Sequence, residues 1–220
     1  MRSSYLITLI LAIHWFSLAG QEKMIVHEED WIAYNYQEAS ITVSSLNKLP
    51  TSIQKEVKIL MDKSFWGFKD SIHFVNAQIV DVISYLKDGD PHKKHSVVPK
   101  YELNFYLKDS SLGIIRYNIT LHLDDYGQIL KLNWPRHGAG SKNMFLSRDA
   151  IQEFALKEAN RRGYNLNNFL VNFEYNEQSD RLCWEFSFLE KEYVSATYYN
   201  FIKTPWDELT VIDGSKQDNK

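Results

Sequence analysis

The residues in this chain that could carry out chemistry are few, and their spacing argues against a catalytic role. Arg136-His137-Gly138 follows a strand-like segment, an arrangement that resembles a phosphoryl-accepting histidine. That chemistry requires a second catalytic histidine further along, yet His137 is the last histidine of the chain. Pro135 also stands where the strand should continue into the arginine. We therefore interpret this segment as an exposed linker.

Clusters of histidine could bind a metal ion, and clusters of carboxylates could form an acid–base pair. The spacing of His92 and His95 could ligate zinc, but two lysines lie between them and oppose a bound cation. Catalytic carboxylates must converge at about 5–10 Å across a cleft, whereas neighbours in a strand or turn point apart. That argument covers the acidic runs Glu28-Glu29-Asp30, Asp88/Asp90 and Asp124-Asp125. The sequence therefore predicts no catalytic residue, no metal site and no cofactor.

Aromatic residues are the feature that points towards binding. The chain has 13 tyrosines, 12 phenylalanines and six tryptophans, but Cys183 is its only cysteine, so packing must replace an internal disulfide. We expect Cys183 to be a small buried hydrophobic residue. Exposed tyrosine and tryptophan can form a protein or glycan contact surface. Alternatively, they cover the second face of a sheet or the interface between repeats.

If the protein binds a partner, we expect the segment Tyr193–Trp206 to do so, with Tyr193, Tyr199 and Trp206 as contact residues. Pro205 should interrupt strand pairing and leave part of this segment at a sheet edge, where backbone groups are available. Neighbouring residues of a strand face opposite ways, so Tyr198 and Tyr199 cannot both point outward.

The N-terminus has the layout of a secretory signal peptide. Arg2 precedes an apolar run from Tyr5 to Leu18, which small residues close. A membrane-spanning helix needs about 20 predominantly apolar residues, so an uncleaved anchor is the less favoured alternative. Cleavage after Ala19 or Gly20 would give a secreted or periplasmic protein of about 200 residues. No cysteine stands directly after the run, which argues against a lipoprotein anchor.

The charge balance excludes nucleic acid as an expected partner. Loss of Arg2 with the signal peptide leaves 24 basic against 28 acidic side chains, a net charge of −4. These charges are interspersed, and no basic patch follows a phosphate backbone. We expect no transmembrane segment after signal cleavage, and the sequence leaves the oligomeric state open.

Hydrophobic periodicity predicts an α+β fold of two tandem units, each a helix packed on an antiparallel meander of three to four strands. Residues 21–48 form a polar lead-in that could supply an edge strand. The first unit spans 49–134, a linker 135–146, the second unit 147–214 and a polar tail 215–220. The helices should pack on one sheet face through Ile53/Val57/Leu60 and Ile151/Phe154/Ala155.

The elements of the first unit begin with a helix that Thr51 or Ser52 caps and Gly67 ends. Strands are predicted at about His73–Leu86, Tyr101–Lys108 and Ile114–Leu123, with a return over Gln128–Asn133. In the second unit, Ser147 caps a helix that ends at Gly163. Strands follow at about Phe169–Tyr175, Leu182–Leu189 and Val194–Ile202, and a last stretch covers Leu209–Ile212.

Short matches suggest that the two units repeat. Gly67–Ile79 aligns with Gly163–Tyr175 without a gap, Tyr101–Phe105 with Trp184–Phe188, and Leu121–Gly127 with Leu209–Gly214. A helix followed by a meander, present twice in tandem, resembles the PepSY-like proteins of bacterial envelopes. The resemblance covers about Leu49–Trp134 and Phe145–Asp213. It implies a periplasmic or secreted, non-catalytic module that binds a protein or modulates a protease.

Three classes of function therefore stay open. The first is an exported binding module for a protein or peptide, which could add a strand to a sheet edge. The second is a structural or assembly component of the cell envelope. The third is a small-ligand carrier or an enzyme of unrecognised type, which would need a deep pocket lined by convergent polar groups.

Overall fold

A computed structural model describes residues 39–87, 97–193 and 197–212. Its strands form two antiparallel sheets, and three α-helices accompany them in the described residues. The strands are β1 (Ser40–Val43), β2 (Ile72–Val80), β3 (Tyr101–Asp109), β4 (Ile114–Leu123), β5 (Ile129–Leu132), β6 (Phe169–Asn176), β7 (Arg181–Glu192) and β8 (Thr197–Pro205). The helices are α1 (Thr51–Lys63), α2 (Val82–Leu86) and α3 (Arg148–Arg161). The predicted α+β class is confirmed.

The two sheets are meanders, in which β2–β5 follow α1 and β6–β8 follow α3. The first has the order β1-β2-β3-β4-β5 and the second β6-β7-β8, with antiparallel pairing throughout. The first sheet has five strands because β1 joins it from the predicted lead-in, where Ile41 lies opposite Ile79. The arrangement fits the predicted helix-plus-meander units.

The two long helices bury the faces that their periodicity predicts. Ile53, Val57 and Leu60 of α1 are buried, as are Ile151 and Ala155 of α3. Phe154 of α3 is half-buried. The hydroxyl of Ser147 accepts a 3.3 Å hydrogen bond from the Ala150 amide, which confirms the predicted cap. In α1 the cap position belongs to Pro50, and Thr51 is already helical, so that predicted cap is wrong.

The first predicted strand, His73–Leu86, is too long by one helical turn. Strand β2 ends at Val80, and the next residue, Asp81, caps α2. The Asp81 carboxylate accepts hydrogen bonds from both the amide and the hydroxyl of Ser84. A side chain that satisfies the first amides of a helix favours helix over strand, and hydrophobic periodicity does not report this local preference.

Aromatic rings from both halves of the chain form the centre of the core. Trp206 stacks on Phe68 with ring centroids 5.1 Å apart, and Phe145 lies 3.8 Å from Trp206. Trp134 is fully buried, and its indole N–H donates a 2.9 Å hydrogen bond to the Ser64 carbonyl. The segment predicted as a linker thus carries Phe145 into the core between the two halves.

The order of strands is the same after both long helices, but the predicted stop glycines differ: Gly67 lies within the 3-10 helix Trp66–Phe68, whereas Gly163 follows α3 with a φ of +75°. Strands β2 and β6 follow the paired glycines Gly67 and Gly163, and β3 and β7 follow them as central strands. The third match pairs the end of β4 with a segment that lies after β8, so these two segments are not equivalent. Short acidic turns recur too readily to establish that equivalence.

Several predicted features lie outside the described residues. They are the signal peptide 1–20, most of the lead-in 21–48 with Glu28-Glu29-Asp30, the Asp88/Asp90 and His92/His95 residues, the last two residues of the Leu209–Gly214 match and the tail 215–220. Within the described residues, no helix is both long and apolar enough to cross a membrane.

Candidate functional site

An exposed apolar patch lies on the second sheet, on the face opposite α3. Side chains of a strand alternate between faces, and β7 lies between the other two strands. One row on the outer face contains Leu170, Ser187 and Phe201. Leu170 is 61% exposed near the start of β6, and Phe201 is 52% exposed in the middle of β8.

The next row extends this patch towards the end of the sheet. Leu189 and Tyr199 lie opposite each other, and both are half-buried. The rings of Tyr199 and Phe201 have centroids 6.4 Å apart. We call Leu170, Leu189, Tyr199 and Phe201 the β8 patch. Two further tyrosines, Tyr193 and Tyr198, form an exposed edge-to-face pair at the end of the sheet where β8 begins, with centroids 5.8 Å apart.

Strand β8 also has an unpaired edge beside this patch. In an antiparallel ladder, alternate residues turn both backbone groups towards the same neighbour. The Trp206 amide donates to the Leu182 carbonyl of β7, so the backbone groups of even-numbered β8 residues face β7. The Lys203 carbonyl accepts a hydrogen bond from the Ile212 amide, so the backbone groups of odd-numbered residues face the other side. Tyr199 and Phe201 therefore turn their backbone groups outward. Within the part of the chain that the structure describes, no strand pairs with them there.

A group of charged side chains bounds the β8 patch on the outer face. The Lys203 ammonium lies 2.5 Å from a Glu174 carboxylate oxygen and 3.1 Å from a Glu185 oxygen. Burial opposes the charge on Lys203, but its hydrogen bonds to both glutamates outweigh that effect and raise the pKa of Lys203. Two carboxylates share one cation, so the group keeps a net charge of −1. The edge of the patch is therefore acidic.

The three residues predicted as contacts differ in their exposure to solvent. Tyr193 is 58% exposed, and Tyr199 belongs to the β8 patch. Trp206 is only 3% exposed and packs in the aromatic core, so it is removed from the candidate surface. Pro205 pairs with Cys183 in the ladder and does not interrupt it. β8 is an edge strand because β7 is the only described strand that pairs with it.

Sequence reasoning missed the leucines of the patch. Leu170 and Leu189 belong to other strands than the predicted segment, and only the register brings them beside Phe201 and Tyr199. The alternation of side chains along β6 could have indicated Leu170, because this residue shares a face with the polar residues Asn172 and Glu174. An apolar residue on an otherwise polar face suggests a contact surface.

The outer face of the first sheet is polar and places the buried His122 beside the half-buried Glu102. The imidazole Nε2 of His122 lies 3.2 Å from a Glu102 carboxylate oxygen. This hydrogen bond keeps the pKa of Glu102 below its usual value, although burial opposes the effect. Thr120 lies on the same face, but its hydroxyl donates to Asn104. The pair therefore belongs to a hydrogen-bonded layer and lacks the arrangement of an activated hydroxyl nucleophile.

Metal ligation finds no support in the described ranges, where no three histidine, cysteine, aspartate or glutamate side chains form a group that could hold an ion. The Asp124 carboxylate accepts hydrogen bonds from the amides of Tyr126 and Gln128, so it organises the turn as predicted. His137 is exposed in a turn, and the neighbouring Arg136 amide donates to Asp180. These groups act as parts of turns.

One cavity lies between α1 and the β4–β5 hairpin. Its volume is about 140 Å³, and its walls include Val57, Leu60, Leu121, Leu123 and Ile129. Pockets for cofactors and drug-sized ligands measure about 300–1,000 Å³ and contain convergent polar groups. This cavity is smaller and mainly apolar, so it does not favour a small-ligand carrier.

Cys183 lies near the start of β7 and is fully buried. Burial raises the pKa of its thiol to about 12, far from the range of a reactive thiolate. The prediction of a small buried hydrophobic residue agrees with this environment.

Comparison of the chain with protein-family models, with curated proteins and with solved structures gave no match. The resemblance to PepSY-like proteins therefore stays a prediction from the order of helices and strands.

Proposed function

We propose that this protein is an exported, non-catalytic binding module that engages a protein or peptide at β8. One observation carries the proposal: the unpaired edge of β8 lies directly beside the exposed β8 patch. An added strand would gain main-chain hydrogen bonds from the edge, and its side chains would cover the patch. Together these contacts supply affinity and selectivity.

A proline substitution tests the edge itself. The Tyr199 amide points away from β7, so Tyr199→Pro removes an outward donor without removing a hydrogen bond of the β7–β8 ladder. Tyr199→Ala removes the same ring and keeps the amide. We expect Tyr199→Pro to abolish capture of partners by the mature protein from an envelope extract, and Tyr199→Ala to retain part of it.

A second pair of variants tests the patch. Phe201→Asp places a charge in the β8 patch, whereas Ile115→Asp places one at an exposed apolar position of the first sheet. Captured proteins identified by mass spectrometry should disappear with Phe201→Asp and remain with Ile115→Asp. Thermal unfolding of each variant checks that it is folded. An unchanged set of captured proteins with both Tyr199→Pro and Phe201→Asp would contradict the proposal.

Export is part of this proposal, and it rests on the layout of residues 1–20. Cleavage after Ala19 gives a mature chain that begins at Gly20, and cleavage after Gly20 gives one that begins at Gln21. N-terminal sequencing of the exported protein distinguishes these products. A mature chain that still begins at Met1 would exclude signal cleavage.

A further inference from the structure

The position of Ile212 limits how much of β8 an added strand can use. Its amide donates a 2.8 Å hydrogen bond to the Lys203 carbonyl, on the outward edge of the strand. The chain's own C-terminal segment thus occupies the edge at that point. A partner strand would have to pair with Thr197–Phe201, the part of β8 that lies before Lys203.

This short stretch determines which side chains of the partner meet the patch. Tyr199 and Phe201 have their backbone groups at the edge and their side chains on the outer face. Partner residues opposite them would project onto the same face. An aliphatic side chain there would extend the apolar surface that Leu170 and Phe201 already expose.

Charge around β8 is the second constraint on the partner. Three groups of charged side chains border the second sheet, and each contains two carboxylates and one cation. They are Glu174/Glu185 with Lys203, Glu190/Glu192 with Lys191, and Asp207/Glu208 with Arg181. Arg181 is 2.7 Å from Asp207 and 3.0 Å from Glu208, and Lys191 is 3.8 Å from Glu190. Each group therefore has an excess of one carboxylate.

We infer that the partner of β8 is an extended segment in which an aliphatic residue and a lysine or arginine alternate on one face. The inference rests on the proposed function and specifies its ligand. The aliphatic side chain covers the β8 patch, and the cation lies next to the acidic groups at either end of it. Electrostatic complementarity of this kind selects between partners and accelerates their encounter.

Two synthetic peptides test the charge preference directly. The first is Thr-Val-Thr-Lys-Thr-Val-Thr with blocked ends, which places two valines and the lysine on one face when extended. The second has glutamate in place of lysine. We expect the lysine peptide to bind the mature protein at least about tenfold more tightly in about 50 mM salt. The difference should shrink to about threefold or less in about 300 mM salt.

Variants of the protein locate the effect. The double variant Glu190→Gln/Glu192→Gln removes two carboxylates beside the stretch Thr197–Phe201 and should weaken the lysine peptide about threefold to tenfold. Glu153→Gln removes a charge from the exposed side of α3 and should leave both affinities unchanged. Tyr199→Pro should abolish binding of both peptides, because it removes the edge rather than the charge.

The outcomes separate this inference from the proposed function. Equal affinity of the two peptides, with loss of both in Tyr199→Pro, overturns the charge preference and leaves strand addition intact. Failure of both peptides to bind, with capture of partners still sensitive to Tyr199→Pro, also overturns this inference and leaves the proposed function intact. Failure of both peptides together with capture that is insensitive to Tyr199→Pro overturns both.

Discussion

Trp206 contacts four aromatic rings, those of Phe68, Trp134, Phe145 and Phe173. Tyr199 contacts Phe201 and is half-exposed at the sheet surface. At the scale of single residues, the two side chains therefore have different roles. Trp206 stabilises the core, and Tyr199 is available for binding.

Truncation of these two residues should produce different losses of stability. Trp206→Ala removes a fully packed ring and should lower the free energy of unfolding by about 3–5 kcal/mol. Tyr199→Ala should lower it by less than about 1 kcal/mol, because solvent already reaches the side chain. Urea unfolding monitored by circular dichroism measures both. Equal losses would show that Tyr199 is as much a core residue as Trp206.

Asp109 is a buried carboxylate with several hydrogen-bond partners. It accepts hydrogen bonds from Lys142, Ser71 and Ser111 and is 4% exposed. Burial disfavours its charge, but the hydrogen bonds from Lys142, Ser111 and Ser71 outweigh burial and keep the pKa of Asp109 below its usual value. This carboxylate therefore stabilises the fold in its charged form.

The stability contribution of Asp109 should depend on pH in a defined direction. Because its pKa is lower in the folded chain, the contribution is complete above the unfolded value of about 3.9 and is lost as the pH falls through the folded value. Asp109→Asn should cost about 1–3 kcal/mol at pH 7. Below about pH 4 the difference from the wild type should shrink. A difference that grows on acidification would contradict this assignment.

At the scale of elements, Gly113 is the point where the first sheet packs closely against α3. It ends the turn between β3 and β4 with a φ of +76°, and a Cβ there would lie 2.5 Å from the Arg148 Cβ at the start of α3. Gly163 ends α3 with a similar φ of +75°, but a Cβ there would meet nothing within 4 Å. The two glycines share a conformation and differ in their surroundings.

Alanine substitutions at these glycines separate conformation from contact. Gly163→Ala should cost about 1 kcal/mol, since only the left-handed conformation is strained. Gly113→Ala adds a clash with α3 and should cost about 2–4 kcal/mol. Midpoints of urea unfolding compare the two variants. Equal costs would mean that α3 moves away from the turn without difficulty.

Several elements could be predicted because their cause is local. Periodicity identified the buried faces of α1 and α3, and Ser147 and Gly163 marked the ends of α3. Prediction of the β8 patch would have required information that is not local in sequence. Leu170 and Leu189 meet β8 residues only through strand register, and the burial of Trp206 depends on rings from both halves. Tyr193 and Tyr199 could be proposed from sequence, but the choice between surface and core required the packing.

For the whole molecule, the shared aromatic core implies that the two sheets unfold together. The core cluster includes Phe105 and Leu121 of the first sheet together with Phe173 and Phe186 of the second. Cys183, the only cysteine of the chain, is buried in β7. Its thiol therefore reports the opening of this structure.

Labelling of Cys183 should follow global unfolding. With a pKa raised to about 12 and no exposure, the thiol should react with an aromatic disulfide reagent at least about a thousandfold more slowly in the folded than in the unfolded chain at pH 8. Trp206→Ala should accelerate labelling, because it removes a ring from the core that both sheets share. Labelling of the wild type within seconds in native buffer would show that β7 opens independently.

The contact of Ile212 with Lys203 also has a consequence for solubility. An exposed edge strand with large apolar side chains invites copies of the same protein to stack on it, which is a common origin of aggregation. By covering the edge at Lys203, the C-terminal segment shortens the surface on which such stacking could start. A chain that ends before Leu209 would lose this protection, and its concentration limit in solution should fall accordingly.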